Sequence, residues 1–86
     1  MVLKIERVSI GKRELLRMSG DLNADQLEEL KREIKGNEPR LSLDLGEISL
    51  VDVDAVRFLG TCETRGIDLI HCPSYVREWI NRERKS

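Results

Sequence analysis

The clearest pattern of apolar and polar positions lies near the middle of the chain. Leu41, Leu43 and Leu45 alternate with Ser42 and Asp44. Because successive side chains of a strand point to opposite faces, this alternation predicts a strand with one apolar face and one polar face.

A helix is predicted to begin shortly after this strand and to run from about residue 53 to residue 65, before Gly66. Asp52 is placed to cap its N-terminus and Asp54 falls in its first turn, where acidic side chains are favoured. The apolar stripe of this helix has helical spacing and consists of Ala55, Phe58, Leu59 and Cys62.

Two strands are predicted to precede this region, over residues 2 to 10 and 13 to 19, joined by a tight turn at Gly11-Lys12. The second strand points Leu16 and Met18 toward the core. Antiparallel pairing of these two strands is the simplest arrangement. In the first strand the apolar alternation slips, which predicts a bulge near Glu6-Arg7 or an early end to the strand.

A further helix is predicted after the second strand, with Asn23 as its N-cap and Gln26 three residues later, as in a capping box. Gly36 is expected to end this helix and Pro39 to prevent it from resuming. Its apolar stripe consists of Leu27, Leu30 and Ile34.

The last part of the chain predicts a strand over residues 67 to 72 and a final helix that starts at Pro73-Ser74, with Ser74 as the N-cap. Four side chains of this helix are expected to pack inward: Tyr75, Val76, Trp79 and Ile80.

The predicted element order is therefore β-β-α-β-α-β-α in one domain, residues 1–86, which indicates an α/β fold with a four-stranded mixed sheet. A parallel strand covered on both faces is apolar throughout, whereas the central strand alternates. We therefore expect the helices mainly on one face of the sheet, with Ser42 and Asp44 on a more open face.

Composition narrows the possible functions. The formal net charge is −1 and only three residues are aromatic, which argues against a nucleic-acid partner. The N-terminal apolar run is interrupted by charges at once, and no apolar run approaches the roughly 20 residues that span a bilayer. The expected location is the cytoplasm, without direct membrane insertion.

The residues that carry chemistry do not form a recognisable catalytic or metal-binding pattern. His71 and Cys72 are neighbours on the predicted strand over residues 67 to 72 and are expected to point to opposite faces, and Cys62 is expected on the apolar face of a helix. Ser49 is predicted to be a turn residue, and the alternative is that its hydroxyl is a site of phosphorylation. Asp44, Asp52 and Asp54 could meet at one edge of the sheet and hold Mg²⁺, but carboxylates alone are a weak signal for a metal site, and solvation by water explains these acids better. We expect a non-enzymatic protein without a metal or cofactor.

The ordered set of motifs resembles the STAS domain family, which includes bacterial anti-sigma-factor antagonists. The family pattern Gly-x-Leu-Asp corresponds to Gly20-Asp21-Leu22-Asn23, and its strand apolar-x-x-Asp-Leu corresponds to residues 41–45. The motif apolar-Asp-Ser-Ser/Thr-Gly corresponds to Val51-Asp52-Val53-Asp54-Ala55. The later Pro-Ser-x-Val helix start corresponds to Pro73-Ser74-Tyr75-Val76.

This resemblance implies a STAS-type fold and a role in transcription regulation through protein–protein interaction in a bacterial cytoplasm. In the family, a kinase-like anti-sigma factor phosphorylates the second hydroxyl residue of the Asp-Ser-Ser/Thr-Gly motif. Asp54 occupies that position here, and a carboxylate does not accept a phosphoester as a hydroxyl does. The implied docking surface is the loop and N-terminal half of the second helix: Asn23, Val53, Asp54, Ala55, Val56 and Arg57.

Two alternatives remain open. One is a small STAS subunit of an ABC-type lipid-transport complex, whose partner is the transporter ATPase and which often needs no phosphorylation. The other is a nucleotide-binding domain, because some family members bind nucleotides. An open sheet face and an edge strand also leave a weak homodimer as a possible assembly.

Overall fold

The computed structural model describes residues 3–35 and 40–84. The predicted helix stop at Gly36 and Pro39 lies outside these residues. No helix among them is long and apolar enough to cross a membrane. The strands and helices follow the predicted order: β1 (Lys4–Ile10), β2 (Arg13–Leu22), a 3₁₀ turn (Ala24–Gln26), α1 (Leu27–Ile34), β3 (Leu41–Val51), α2 (Val53–Thr64), β4 (Asp68–Ile70) and α3 (Ser74–Arg84).

The four strands form one mixed sheet in the order β1-β2-β3-β4. β1 and β2 pair antiparallel around the Gly11-Lys12 turn, where Gly11 has a φ of 61°, while β2–β3 and β3–β4 pair parallel. The predicted α/β class, mixed sheet and element order are confirmed. Because β2, β3 and β4 run parallel, their carboxyl ends meet at one edge of the sheet, and each strand passes into a helix there.

The bulge expected near Glu6-Arg7 is wrong. β1 pairs with β2 without a break from Lys4–Ser19 to Ile10–Arg13. The slipped alternation arises instead because Ile10 is 61 % exposed and does not belong to the core. The irregularities lie between β2 and β3, where β3 carries one extra residue at each of two places.

β3 is also longer than predicted, since residues 46–51 continue the strand instead of forming a loop. This segment pairs with the second half of β2, from Ser19–Glu47 to Leu22–Val51. The irregular register hides it from a search for period-two alternation.

The core lies on the face of the sheet that carries Leu16, Met18 and Leu43, all fully buried. Side chains from all three helices join the same cluster, including the predicted stripe of α1. The helix residues in the cluster are Leu27, Leu30, Ile34, Ala55, Val56, Leu59, Cys62, Val76 and Ile80. The helices therefore pack on the predicted face.

The opposite face is less open than predicted at its centre. Ser42 is 7 % exposed and Asp44 is 8 % exposed, so the expectation of an open environment for these two residues is wrong. Leu15 pairs with Ser42 across the parallel ladder, while Arg17 and His71 contact the Asp44 carboxylate. Side chains of β2 and of the residue that follows β4 thus cover the centre of this face, where no helix was expected.

The helix boundaries agree with the sequence prediction at α2 and differ at α3. α2 ends at Thr64 and is followed by Gly66 with a φ of 93°, as expected for a glycine after a helix. α3 begins at Ser74, and the carbonyl of Pro73 accepts the first helical hydrogen bonds, so Pro73 and not Ser74 holds the cap position. The predicted inward packing of Tyr75 is also wrong, because its side chain is 48 % exposed.

Candidate functional site

Asp52 organises the carboxyl edge of the sheet. Its Oδ1 accepts a hydrogen bond from the Ala55 N–H at 2.9 Å, which confirms it as the N-cap of α2. Its Oδ2 accepts a second hydrogen bond from the Ala24 N–H at 3.0 Å, in the 3₁₀ turn that precedes α1. One carboxylate therefore holds the starts of two neighbouring helical segments, and the second bond was not predicted.

Asn23 has the predicted capping role. Its Oδ1 accepts a hydrogen bond from the Asp25 N–H at 3.0 Å. The element that it caps is the 3₁₀ turn, and the Gln26 N–H donates to the Asn23 carbonyl at 2.9 Å. The side chain of Gln26, the residue before α1, makes no capping hydrogen bond to that helix. The turn thus separates Asn23 from the α-helix that it was expected to cap.

The predicted docking residues divide into exposed and buried side chains. Val53 and Asp54 are exposed in the first turn of α2. Asn23 directly follows β2 at the same edge of the sheet, and its side chain is half-buried. Ala55 and Val56 are fully buried and belong to the core, so their side chains are withdrawn from the docking surface. Helix geometry explains this, because residues 55 and 56 turn toward the sheet when 53 and 54 face outward.

Arg57 is exposed but already has a partner. Its Nε donates to Glu83 Oε1 of α3 at 2.7 Å. The bond to Glu83 raises the pKa of the Arg57 guanidinium. Arg57 thus links α2 to α3 and borders the docking surface.

Two further apolar side chains join Val53 at this edge. Leu50, near the end of β3, is 62 % exposed, and the ring of Tyr75 stands in the first turn of α3. The Tyr75 hydroxyl donates to the Ser49 carbonyl at 3.3 Å, which fixes the ring beside the end of β3. We call Leu50, Val53, Asp54 and Tyr75 the edge surface.

Sequence reasoning missed Leu50 and misplaced Tyr75. Leu50 and Ile48 belong to one apolar run and would share a face in a regular strand, whereas the second irregularity of β3 turns Leu50 out while Ile48 stays buried. For Tyr75 a signal was available, since a tyrosine one position away from the centre of an apolar stripe often keeps its hydroxyl at the surface.

A shallow cavity of about 270 Å³ adjoins the edge surface. Its lining residues are Asp21, Leu22, Asn23, Leu50, Val51 and Asp52. Within the described part of the chain, Asp21 Oδ1 is buried and has no hydrogen-bond partner. The edge therefore combines exposed apolar side chains with carboxylates.

Asp44 and His71 meet below this edge. His71 Nδ1 lies 3.2 Å from Asp44 Oδ1, which also accepts the Gly46 N–H at 3.0 Å. Burial raises the pKa of the Asp44 carboxyl, but the Gly46 hydrogen bond, His71 and Arg17 outweigh burial and leave that pKa below its ordinary value. His71 thus contacts a carboxylate that sequence reasoning placed on an open face.

The remaining candidates show no catalytic arrangement. Burial raises the pKa of the Cys72 thiol, which favours the unreactive protonated form. Cys62 is buried on the apolar face of α2, as predicted. In residues 3–35 and 40–84, no group of three His, Cys, Asp or Glu side chains is placed to hold a metal ion, so the alternative of Mg²⁺ between Asp44, Asp52 and Asp54 finds no support.

No protein-family model matches this chain, and no curated protein matches it either. The likeness to the STAS family therefore stays a prediction from the sequence motifs.

Proposed function

We propose that this chain is a non-enzymatic regulatory module that binds another protein through the edge surface, in the manner of an anti-sigma-factor antagonist of the STAS family. One observation carries the proposal. In the part of the chain that the structure describes, four large apolar side chains are exposed, and three of them, Leu50, Val53 and Tyr75, lie at the carboxyl edge. Clustered exposed apolar side chains with a polar rim are typical of protein-binding surfaces.

The charges of the edge indicate what the partner presents. Asp54 is exposed in the first turn of α2, and Asp21 adds a second carboxylate beside the cavity. Arg57, the nearest cation on α2, is engaged by Glu83. A partner surface with an apolar centre and a basic rim complements this arrangement.

The regulation that we propose depends on the permanent negative charge of Asp54. In the family the corresponding hydroxyl is switched by phosphorylation, which adds about −1.5 to −2 charge. A permanent carboxylate supplies part of that charge and cannot be removed by a phosphatase. The module would therefore act in one fixed state, and its control would lie with the partner or with its own abundance.

Asp54 also favours a second candidate of the same kind, a small STAS subunit of an ABC-type lipid-transport complex. Such a subunit often needs no phosphorylation to work with its transporter ATPase. The missing hydroxyl is therefore expected for it. Both candidates use the same edge surface and differ only in the identity of the partner.

Affinity capture from the native host tests the proposal, with the wild-type chain, Asp54→Ala and Asp54→Ser as baits. A kinase-like anti-sigma factor or a transporter ATPase should be retained by the wild-type chain and lost or weakened with Asp54→Ala. Binding of the purified partner is then measured with each variant. Equal affinities for all three baits would show that Asp54 only favours the helix N-terminus and would contradict its proposed role.

A further inference from the structure

The single histidine of the sequence, His71, forms a hydrogen-bonded pair with Asp44 on the face of the sheet opposite the helices. The His71 Nδ1 lies 3.2 Å from Asp44 Oδ1, and the His71 side chain is 70 % exposed. His71 directly follows β4, whereas Asp44 lies within β3. The pair therefore joins an accessible imidazole to a nearly buried carboxylate.

The Asp44 carboxylate is held by two further contacts. The Gly46 N–H donates to Oδ1 at 3.0 Å, and Arg17 Nε lies 3.6 Å from Oδ2. Burial raises the pKa of the Asp44 carboxyl, but the bond from Gly46, His71 and Arg17 together leave that pKa below its ordinary value. Asp44 is therefore ionised at neutral pH and only accepts hydrogen bonds.

The carboxylate determines which nitrogen of the imidazole carries the proton. Because Asp44 only accepts, the proton is on Nδ1, and the lone pair of the neutral ring is on Nε2. With Nδ1 turned toward Asp44 and most of the side chain exposed, Nε2 is the nitrogen at the surface. A carboxylate partner also makes such a ring more basic.

The local backbone is arranged around this contact. His71 has a φ of 55°, a conformation in which glycine is favoured over residues with a side chain. A Cβ at position 46 would lie 3.2 Å from Asp44 Oδ1 and 3.3 Å from His71 Cβ, so Gly46 leaves the room that the pair occupies. Since Gly46 and Arg17 already contact the carboxylate, the arrangement does more than supply Asp44 with a partner.

The chemistry that suits this pair is that of a nucleophile. Among the residues that the structure describes, no group of three His, Cys, Asp or Glu side chains is placed to hold a metal ion. An exposed imidazole with an oriented lone pair attacks an electrophile, and a carboxylate at the other nitrogen stabilises the positive charge that the ring acquires. A phosphoryl group is a suitable electrophile, because its transfer leaves the Nδ1 proton in place beside Asp44.

We infer that His71 Nε2 accepts a phosphoryl group from a donor that has an energy-rich P–N bond. The Nε2 lone pair forms a bond to phosphorus, and the P–N bond of the donor breaks. The departing nitrogen, already protonated in the donor, leaves as an amine with the bonding electrons. The ring then carries the phosphoryl group on Nε2 and the proton on Nδ1. This modification site is independent of the proposed protein binding at the edge surface.

Reaction of the full chain with phosphoramidate tests this inference. Intact-mass measurement should show the gain of one HPO₃ group, which acid removes and alkali does not, as expected for phosphohistidine. The folded chain should react at least about tenfold faster than the same chain unfolded in urea, because only folding brings Asp44 to the ring. Free N-acetylhistidine in each solvent calibrates the reagent.

Three substitutions provide the comparison. Asp44→Asn should slow the reaction about tenfold, since a neutral amide neither fixes the proton on Nδ1 nor stabilises the charged ring. Gly46→Ala should also slow it, because the added methyl group separates His71 from Asp44. Asp68→Asn is the matched control, since Asp68 is an exposed β4 carboxylate that pairs with Arg13, and it should leave the rate unchanged.

Nitrogen NMR of the labelled wild-type chain reads the tautomer directly and should show the proton on Nδ1. Four results would overturn the inference: equal rates for the folded and unfolded chains, equal effects of Asp44→Asn and Asp68→Asn, a product that is stable to acid, or a neutral ring protonated on Nε2. Circular dichroism melting verifies that each variant is folded, and the wild-type rate and tautomer test the inference without any substitution.

Discussion

The Asp52 carboxylate accepts a hydrogen bond from the Ala24 N–H, 28 residues earlier in the chain, at a distance of 3.0 Å. Its other oxygen accepts the Ala55 N–H at 2.9 Å. The ends of β2 and β3 are neighbours in the sheet, which brings the two helical starts within reach of one side chain. Asp52 therefore fixes the start of α2, which carries Val53 and Asp54 of the edge surface.

Replacing Asp52 should cost more stability than replacing an ordinary N-cap. Asp52→Ala is expected to lower the free energy of unfolding by about 2–3 kcal/mol, because two capping bonds are lost at about 1 kcal/mol or more each. Asp52→Asn keeps one acceptor oxygen and should lower the free energy of unfolding by about 1 kcal/mol. Urea denaturation measures both values.

Asp54→Ala is the matched control for this series. This substitution removes an acidic side chain that makes no capping hydrogen bond from the start of the same helix. It should lower the free energy of unfolding by about 0.3–1 kcal/mol. If Asp52→Ala and Asp54→Ala lower the stability equally, the double cap does not hold the two helices together.

Glu63 joins α2 to α3 and should also contribute to stability. Its two oxygens accept bonds from Arg77 at 2.8 Å each, and Arg84 adds a third contact at 3.0 Å. Glu63→Gln should lower the free energy of unfolding by about 1–2 kcal/mol, since charged bidentate pairs are stronger than neutral hydrogen bonds. Thermal or urea denaturation should show a smaller loss for Glu83→Gln, whose partner Arg57 is exposed. A larger loss at Glu83 would contradict this account.

Stability should fall as the solution becomes acidic. The bond from Arg77 lowers the pKa of the Glu63 carboxyl against the effect of burial, and the Asp44 carboxyl also has a lowered pKa. Because their folded pKa values lie below the ordinary values of 4.5 and 3.8, the two carboxylates contribute fully above those values. Their contribution to the free energy of unfolding is lost as the pH falls through the lowered pKa values that the two carboxyls have in the folded protein.

Urea denaturation between pH 7 and pH 2.5 measures this effect. The free energy of unfolding should drop below about pH 4.5 for the wild-type protein, and Glu63→Gln and Asp44→Asn should each flatten the curve. A wild-type curve with the same slope as both variants would refute the contribution of these carboxylates.

His71 should tolerate only certain replacements. It has a φ of 55°, which asparagine adopts with little strain and β-branched residues avoid. His71→Asn should melt close to the wild-type protein, whereas His71→Val should be destabilised by about 1–2 kcal/mol. Equal melting temperatures for the two variants would show that the backbone at residue 71 relaxes.

The sequence predicted the element order and the core because these depend on local periodicity. The stripe of Leu27, Leu30 and Ile34 and the alternation of Leu41 to Leu45 each have one regular period. The two irregularities of β3 interrupt that period, so the sequence pattern does not predict the part of the strand beyond Gly46. Burial of Ser42 and Asp44 could not be predicted either, since it depends on side chains from neighbouring strands.

The candidate site was predicted in part for the same reason. Asp52 and Asn23 were identified as caps because capping is local in sequence. The bond from Ala24 to Asp52 and the contact of Tyr75 with Ser49 both join residues of different elements. Only the folded chain brings such groups together.

The affinity of a purified partner for Leu50→Ser and Ile10→Ser tests the central claim most directly. The two side chains are almost equally exposed, at 62 % and 61 %, but Leu50 belongs to the edge surface and Ile10 lies at the hairpin end of β1. Titration calorimetry with the partner captured from the host should show at least about tenfold weaker binding for Leu50→Ser and unchanged binding for Ile10→Ser. Equal effects of the two substitutions, or loss of binding only with Ile10→Ser, would contradict docking through the carboxyl edge.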